Sequence, residues 1–241
     1  MVIAGIETAR RHAETLVHLR LEQYRPLLLA VLRSFTNNEV EKVLRYLVAC
    51  SVRFLIHGGL GGGTLEKNYC DSAMKVLQGT IGTAKALAAE LNKVVPTDAE
   101  FKASFSTARV SKSYLARYYL QALERQALGA EQPELIANPN SDEVNLEHVL
   151  PQSPSEGWKD IETEIADIYF NRLGNLVLLQ QTANSEIGNA SFEKKKQHFI
   201  QSGFLLTRKV GSLDGWDTGE IDNRQSQLAN LAVAAWTLAV D

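Results

Sequence analysis

Glu147 and His148 stand side by side in NLEHVLPQ (residues 145–152), at the end of a short apolar run in a chain with only five histidines. The pair offers two kinds of chemistry at once. An imidazole with an ordinary pKa near neutrality can take a proton at physiological pH. A carboxylate is a hard oxygen donor of the sort that holds Mg²⁺ or Mn²⁺. More polar residues follow in order: Asn175, Asn184, Asn189, then Lys194, Lys195 and Lys196. A Glu-His pair alone is more often structural than catalytic. Its meaning turns on whether the surrounding elements bring those later residues back to it.

The elements that must do so read as strand, helix, strand, helix. NLEHVLP is a short strand, and neighbours on a strand face opposite sides, so Glu147 and His148 meet one ligand only where that strand distorts or ends. SPSE (153–156) has the serine-to-glutamate spacing of a capping box, and Trp158, Ile161, Ile165, Ile168 and Tyr169 beyond it keep helical spacing. LGNLVLL (173–179) is a second strand with glycine and Asn175 at its mouth. SFEKKKQHFIQS (191–202) is a helix, and residues 222–240 form another, apolar on one face. Trp158, Trp216 and Trp236 read as core anchors of this small α-rich domain.

Residues 1–129 read as a helical domain. Val40, Val43, Leu44, Leu47, Val48 and Val52 have the spacing of a buried helical face, and a stretch rich in alanine, leucine and lysine runs to about Asn92. SKSYLARYYLQALERQALG (111–129) is a strong amphipathic helix with Leu115, Tyr118, Tyr119, Ala122 and Leu123 inward. The polar, proline-bearing stretch 130–142 is the expected linker, and 143–241 the second domain.

Several tempting features carry nothing. HGGLGGGT (57–64) lacks the lysine that a phosphate-binding loop needs after its last glycine, and reads as a helix connector. Ser72 and Lys75 have S-x-x-K spacing without partner motifs. His12, His18, His57 and His198 have no companions at metal-ligand spacing. Cys50 and Cys70 form neither a zinc knuckle nor a disulfide framework. Net charge is −3 with 45% apolar and 22% charged residues, an ordinary globular composition that does not advertise a nucleic-acid binder but can conceal a local basic patch. Neither a signal peptide nor a membrane span is visible, so the expectation is a cytoplasmic protein or a piece of one.

EHVLPQ, then GNLVLL with Asn184 beyond it, resembles the HNH, or His-Me finger, nuclease motif. The wider order is ARYYLQALE, NLEHVLPQ, LGNLVLL, Asn184, SFEKKKQHF and a terminal W-x₄-I-x₂-R-x₁₁-W made by Trp216, Ile221, Arg224 and Trp236. It resembles the C-terminal nuclease half of the GmrSD-type restriction endonucleases, modification-dependent enzymes that include the SspE-type phosphorothioate sensors. The likeness covers roughly residues 110–241; the family's N-terminal nucleotide-hydrolysing sensor domain has no counterpart, so the chain looks like the C-terminal part of a longer protein.

The resemblance implies a mainly α fold with a small ββα-metal module and an α-helical N-terminal region. It implies a metal-dependent DNA endonuclease or nickase of a phage-defence system, acting on DNA that is modified or not. His148 would be the general base, and Glu147 with Asn184 would hold one Mg²⁺ or Mn²⁺, Asn189 being the competing last ligand. Asn175 would orient the His148 loop or ring. Lys194, Lys195, Lys196, Arg208 and Lys209 would meet the phosphate backbone. The rival readings are a non-catalytic DNA-binding or regulatory module and an RNA-cutting nuclease of the same fold.

Overall fold

The computed structural model describes residues 2–58, 62–136, 144–154, 156–158, 161–180 and 188–241. The chain is mainly helical with a single two-stranded antiparallel sheet among the described residues. Two compact units divide it: Met1–Phe101 with Glu134–Ile136 and Trp236–Asp241, and Lys102–Pro133 with Ala137–Ala235. This division does not follow the composition change at 130–142, because Glu134 and Leu135, inside the expected linker, are buried in the first unit. No described helix is long and apolar enough to cross a membrane.

The first unit contains α1 (Val2–Leu19), α2 (Arg25–Ser34), α3 (Asn37–His57), α4 (Gly62–Leu77) and α5 (Ala84–Leu91). The six apolar positions of α3 predicted to face inward are all buried, as helical spacing requires. Pro26 sits in the first turn of α2, where its missing N–H costs nothing. The stretch expected to run on to about Asn92 is divided after Leu77. Gly79 there takes φ +74°, a left-handed conformation that glycine adopts without strain, and Thr83 then caps α5 by accepting from the Ala86 N–H. His12 is fully buried, its Nδ1 3.0 Å from the Thr8 carbonyl and its Nε2 3.0 Å from Glu134. Cys50 and Cys70 are free thiols.

The boundary falls within α6 (Asp98–Phe105), and the second unit continues with α7 (Ser113–Ala127), β1 (Val144–His148), α8 (Thr163–Tyr169) and β2 (Leu176–Gln180). Then come α9 (Phe192–Ile200), α10 (Leu205–Gly211) and α11 (Thr218–Ala235). The strands pair so that Glu147 lies opposite Val177 and His148 opposite Leu176. Every inward position predicted for α7 is buried, and this helix packs on both strands and on α10 and α11. Its Glu124 accepts the Leu205 and Leu206 N–H groups at the start of α10, a cap supplied from another element. The segment after β1 departs from the expected helix: a 3-10 turn at Glu156–Trp158 precedes α8, and Glu162 makes no side-chain cap. Ser155 and the side chain of Glu156, the glutamate of the expected capping box, lie outside the described residues. Trp158, Val177, Phe192, Phe199, Trp216 and Ile221 form much of the core beneath the sheet.

Candidate active site

β1 ends at His148, and β2 begins just after a 3-10 turn, Leu173–Asn175. The pairing of His148 with Leu176 therefore sets the mouth of one strand against the end of the other. Asn175 locks this junction. Its Nδ2 donates to the Leu150 and Phe170 carbonyls (2.9 and 3.2 Å), and its Oδ1 accepts from the Leu150 N–H and Trp216 Nε1 (2.8 and 3.2 Å). Its own carbonyl accepts the Val149 N–H at 2.9 Å. All four amide positions an asparagine needs are thus satisfied at a fully buried site.

Those bonds reach the two segments that hold His148. Phe170 stacks under its ring, with centroids 3.8 Å apart and planes 6° from parallel, and residues 149–150 continue the chain from it. Burial and the Lys195 charge push the His148 pKa down to about 4, opposed by a side-chain hydrogen bond with Asn171. At neutral pH the ring is therefore uncharged and can accept a proton.

Glu147 faces Lys195 from α9. The Lys195 Nζ donates to Glu147 Oε1 at 2.6 Å and to the His148 carbonyl at 2.7 Å, and the whole residue is 1% exposed. Burial raises the Glu147 pKa, and the lysine opposes that rise. Burial lowers the Lys195 pKa, and the carboxylate opposes that in turn. Burial works against both charges, and the 2.6 Å contact works for both, each partner favouring the other's charged form.

A cleft of ≈ 330 Å³ opens here, lined by Glu147, His148, Gln152, Phe170, Asn189 and Lys195 among others. It unites Glu147, His148 and Lys195 with Asn189, the competing last ligand. Asn184 lies outside the described residues. Asn175 stands behind the cleft rather than in its wall. Of the three consecutive lysines, Lys194 is exposed and Lys196 half-buried, whereas Lys195 turns inward; successive helical side chains point ~100° apart, so one of three must face the strands. Lys195 thus meets Glu147 at the cleft instead of lying on the solvated face of α9. Arg208 and Lys209 are on α10 and do not line the cleft; Arg208 donates to the Ser202 carbonyl at 2.8 Å, and Lys209 is exposed.

Among the described residues no group of three or more His, Cys, Asp and Glu side chains could hold a metal ion. A fit to Mg²⁺ or Mn²⁺ survives in a sparse form. A carboxylate and an amide-bearing residue on one small cleft match ions that keep several waters and take remaining ligands from substrate phosphate. A site able to strip the ion of its water would need more.

The support behind this junction comes from α11, which sequence reading credited only with an apolar face. Arg224 is buried there and donates through Nη1 to the carbonyls of Leu173, Gly174 and Leu176 at 3.1, 2.7 and 2.8 Å. Gln225 Oε1 accepts from the Gly174 N–H (3.0 Å) and Arg172 Nε (2.9 Å). The W-x₄-I-x₂-R spacing carried the signal: Trp216, Ile221 and Arg224 all reach the turn that holds Asn175. Phe170 and Asn171 had no signal, since nothing in the local sequence marks a residue that packs against an imidazole 22 positions earlier.

Residues 95–231 match a protein family described as GmrSD restriction endonucleases, C-terminal domain. The match covers more than half of the 241 residues and takes in both strands and the cleft. No curated protein matches the chain.

Proposed function

Because the chain belongs to the family of GmrSD restriction endonuclease C-terminal domains, we propose that its cleft hydrolyses DNA phosphodiesters with His148 as general base. The observation that carries this reading is the uncharged His148 ring, held on Phe170 in a cleft it shares with Glu147 and Lys195. His148 takes a proton from water as its oxygen bonds to phosphorus and the bond to the leaving sugar oxygen breaks; that oxygen then gains a proton from solvent. General-base catalysis is worth ~10²–10⁴-fold, so much of the acceleration must have another origin. Glu147 with Asn184 or Asn189 would hold a Mg²⁺ or Mn²⁺ ion, which when bound would supply it by neutralising charge on the phosphate. Asn175 keeps the junction that carries the base in register.

In this reading β1, β2 and α9 constitute a ββα-metal unit of the HNH type. Lys194, Lys196, Arg208 and Lys209 meet the backbone of DNA, with modification sensed by an N-terminal nucleotide-hydrolysing domain of a longer cytoplasmic protein. Supercoiled plasmid incubated with the chain and Mg²⁺ or Mn²⁺ tests the proposal, beside His148→Ala and an EDTA control. Metal-dependent nicking that disappears in the variant is expected. Nicking that survives in His148→Ala would mean another residue is the base. Inertness of the wild type with both metals, on modified and unmodified plasmid, would favour a binding module, and preferential cutting of an RNA competitor would reassign the substrate.

A further inference from the structure

We propose that Lys195 makes the cleft electrically neutral, so that divalent-cation binding and DNA binding are coupled and each strengthens the other. The inference rests on the nuclease reading above and extends it to the order in which the site is loaded.

Among the described residues that line the cleft, the charged side chains are Glu147 and Lys195. Their charges face one another at 2.6 Å. Lys195 is also not a mobile counterion. Its second bond, 2.7 Å to the His148 carbonyl, fixes the ammonium between α9 and the end of β1, and its side chain is 1% exposed. An arriving dication therefore meets one carboxylate and one fixed positive charge beside it.

Oxygen-donor sites gain affinity for such ions by collecting negative ligands. The described lining of this one has no net negative charge to offer, and the Lys195 charge opposes the ion in surroundings that screen poorly. A DNA phosphate brings the missing charge, and Mg²⁺ commonly shares its shell among a protein carboxylate, waters and substrate phosphate. Linkage makes the effect mutual: whatever factor DNA adds to cation affinity, the cation adds to DNA affinity.

The experiment measures Mn²⁺ binding to the full chain carrying His148→Ala, which blocks turnover. Calorimetry and the electron-spin signal of free Mn²⁺ are read with and without a short DNA duplex, corrected for Mn²⁺ bound to duplex alone. Mn²⁺ affinity should rise on the order of tenfold with the duplex, within the usual range of coupling between sites. Adding Lys195→Gln keeps hydrogen-bond donors but removes the charge; it should tighten Mn²⁺ binding without DNA several-fold and shrink the coupling. Lys195→Arg keeps the charge and should preserve the coupling, so the test stands even where the glutamine variant folds poorly.

Equal Mn²⁺ affinity with and without duplex would overturn the proposal, as would unchanged DNA-free affinity in a folded Lys195→Gln protein. Plasmid nicking by the wild type separates the two levels. Nicking with Mn²⁺ but no coupling removes this inference alone, whereas no Mn²⁺ binding and no nicking removes the nuclease reading with it.

Discussion

At the scale of single residues, the environment of His148 makes a demand on the chemistry. As the proposed base, a ring with a pKa of about 4 would be in its working form throughout the neutral range, yet weak basicity would lower its drive to take a proton. The cleft accepts that loss for a ring held in one orientation by Phe170 and Asn171. The sign of the pH effect follows. Protonation would disable the proposed base, and burial has moved protonation down from the ordinary value near 6.5; a cation bound in the cleft would push it the same way. Initial nicking rates should therefore hold as pH is lowered through 6.5 and fall only toward the low fours, read in buffers of constant ionic strength with saturating Mg²⁺. An acid limb centred near 6.5 would mean that a solvated group, not this ring, limits the reaction. The same shift bears on stability. The folded state resists protonating His148, so its contribution is present above pH ~6.5 and is lost as pH falls toward 4. The adjacency of Glu147 and His148 was legible in the sequence, but this electrostatic setting was not. It depends on Lys195 turning inward, and three identical neighbours give no hint of which one does.

At the scale of elements, both strands and the lysine helix were readable because short apolar runs, helical spacing and the Gly-Asn pair mark them locally. What holds the strands in register was not, since α11 acts on the 3-10 turn from about fifty residues away. Gly174 is where this support is tightest. A Cβ there would lie 2.3 Å from the Ile221 carbonyl oxygen and 2.9 Å from the Gln225 Cβ, contacts no alanine can keep. Gly174→Ala must push the turn off α11, stretching the Arg224 bonds to three carbonyls and moving Asn175 with them. Overpacking of this kind costs roughly 1–3 kcal/mol, and nicking should fall by more than the lost folded population explains. Urea unfolding followed by nicking assays at matched folded fraction checks both. Wild-type stability together with wild-type activity in the alanine variant would show that α11 is no buttress. The helix expected beyond the serine-glutamate spacing at 153–156 starts only at Thr163, and Trp158 before it is drawn into the core by its ring and by its Nε1 bond to the Ala190 carbonyl, 3.2 Å away.

At the scale of the whole molecule, composition located a change of texture at 130–142 but not the returns of the chain that make the compact units. His12 illustrates the limit. It had no companion at useful spacing, yet its partner Glu134 is 122 residues away and buried with it. Trp236 illustrates it again. Sequence reading placed it with Trp158 and Trp216 in the small domain, whereas its wholly buried ring belongs to the first unit, edge-on to Phe101 at 6.3 Å. Its carbonyl accepts from Arg53 Nε and Nη2 at 3.0 and 2.9 Å, and Arg53 also holds the Pro96 carbonyl and Asp98. Trp236→Ala removes the ring but not the carbonyl, so the cost is the cavity, about 3–5 kcal/mol, and it falls on the first unit. Hydrogen exchange read peptide by peptide should then report faster exchange in α3 and around residues 96–101, while amides of β1 and β2 keep their protection. Plasmid nicking, if it belongs to the second unit alone, should persist at temperatures where the first unit of this variant has already opened. Equal loss of protection in the strands would mean instead that the two compact units unfold as one, and that the nuclease cleft depends on the helices preceding it.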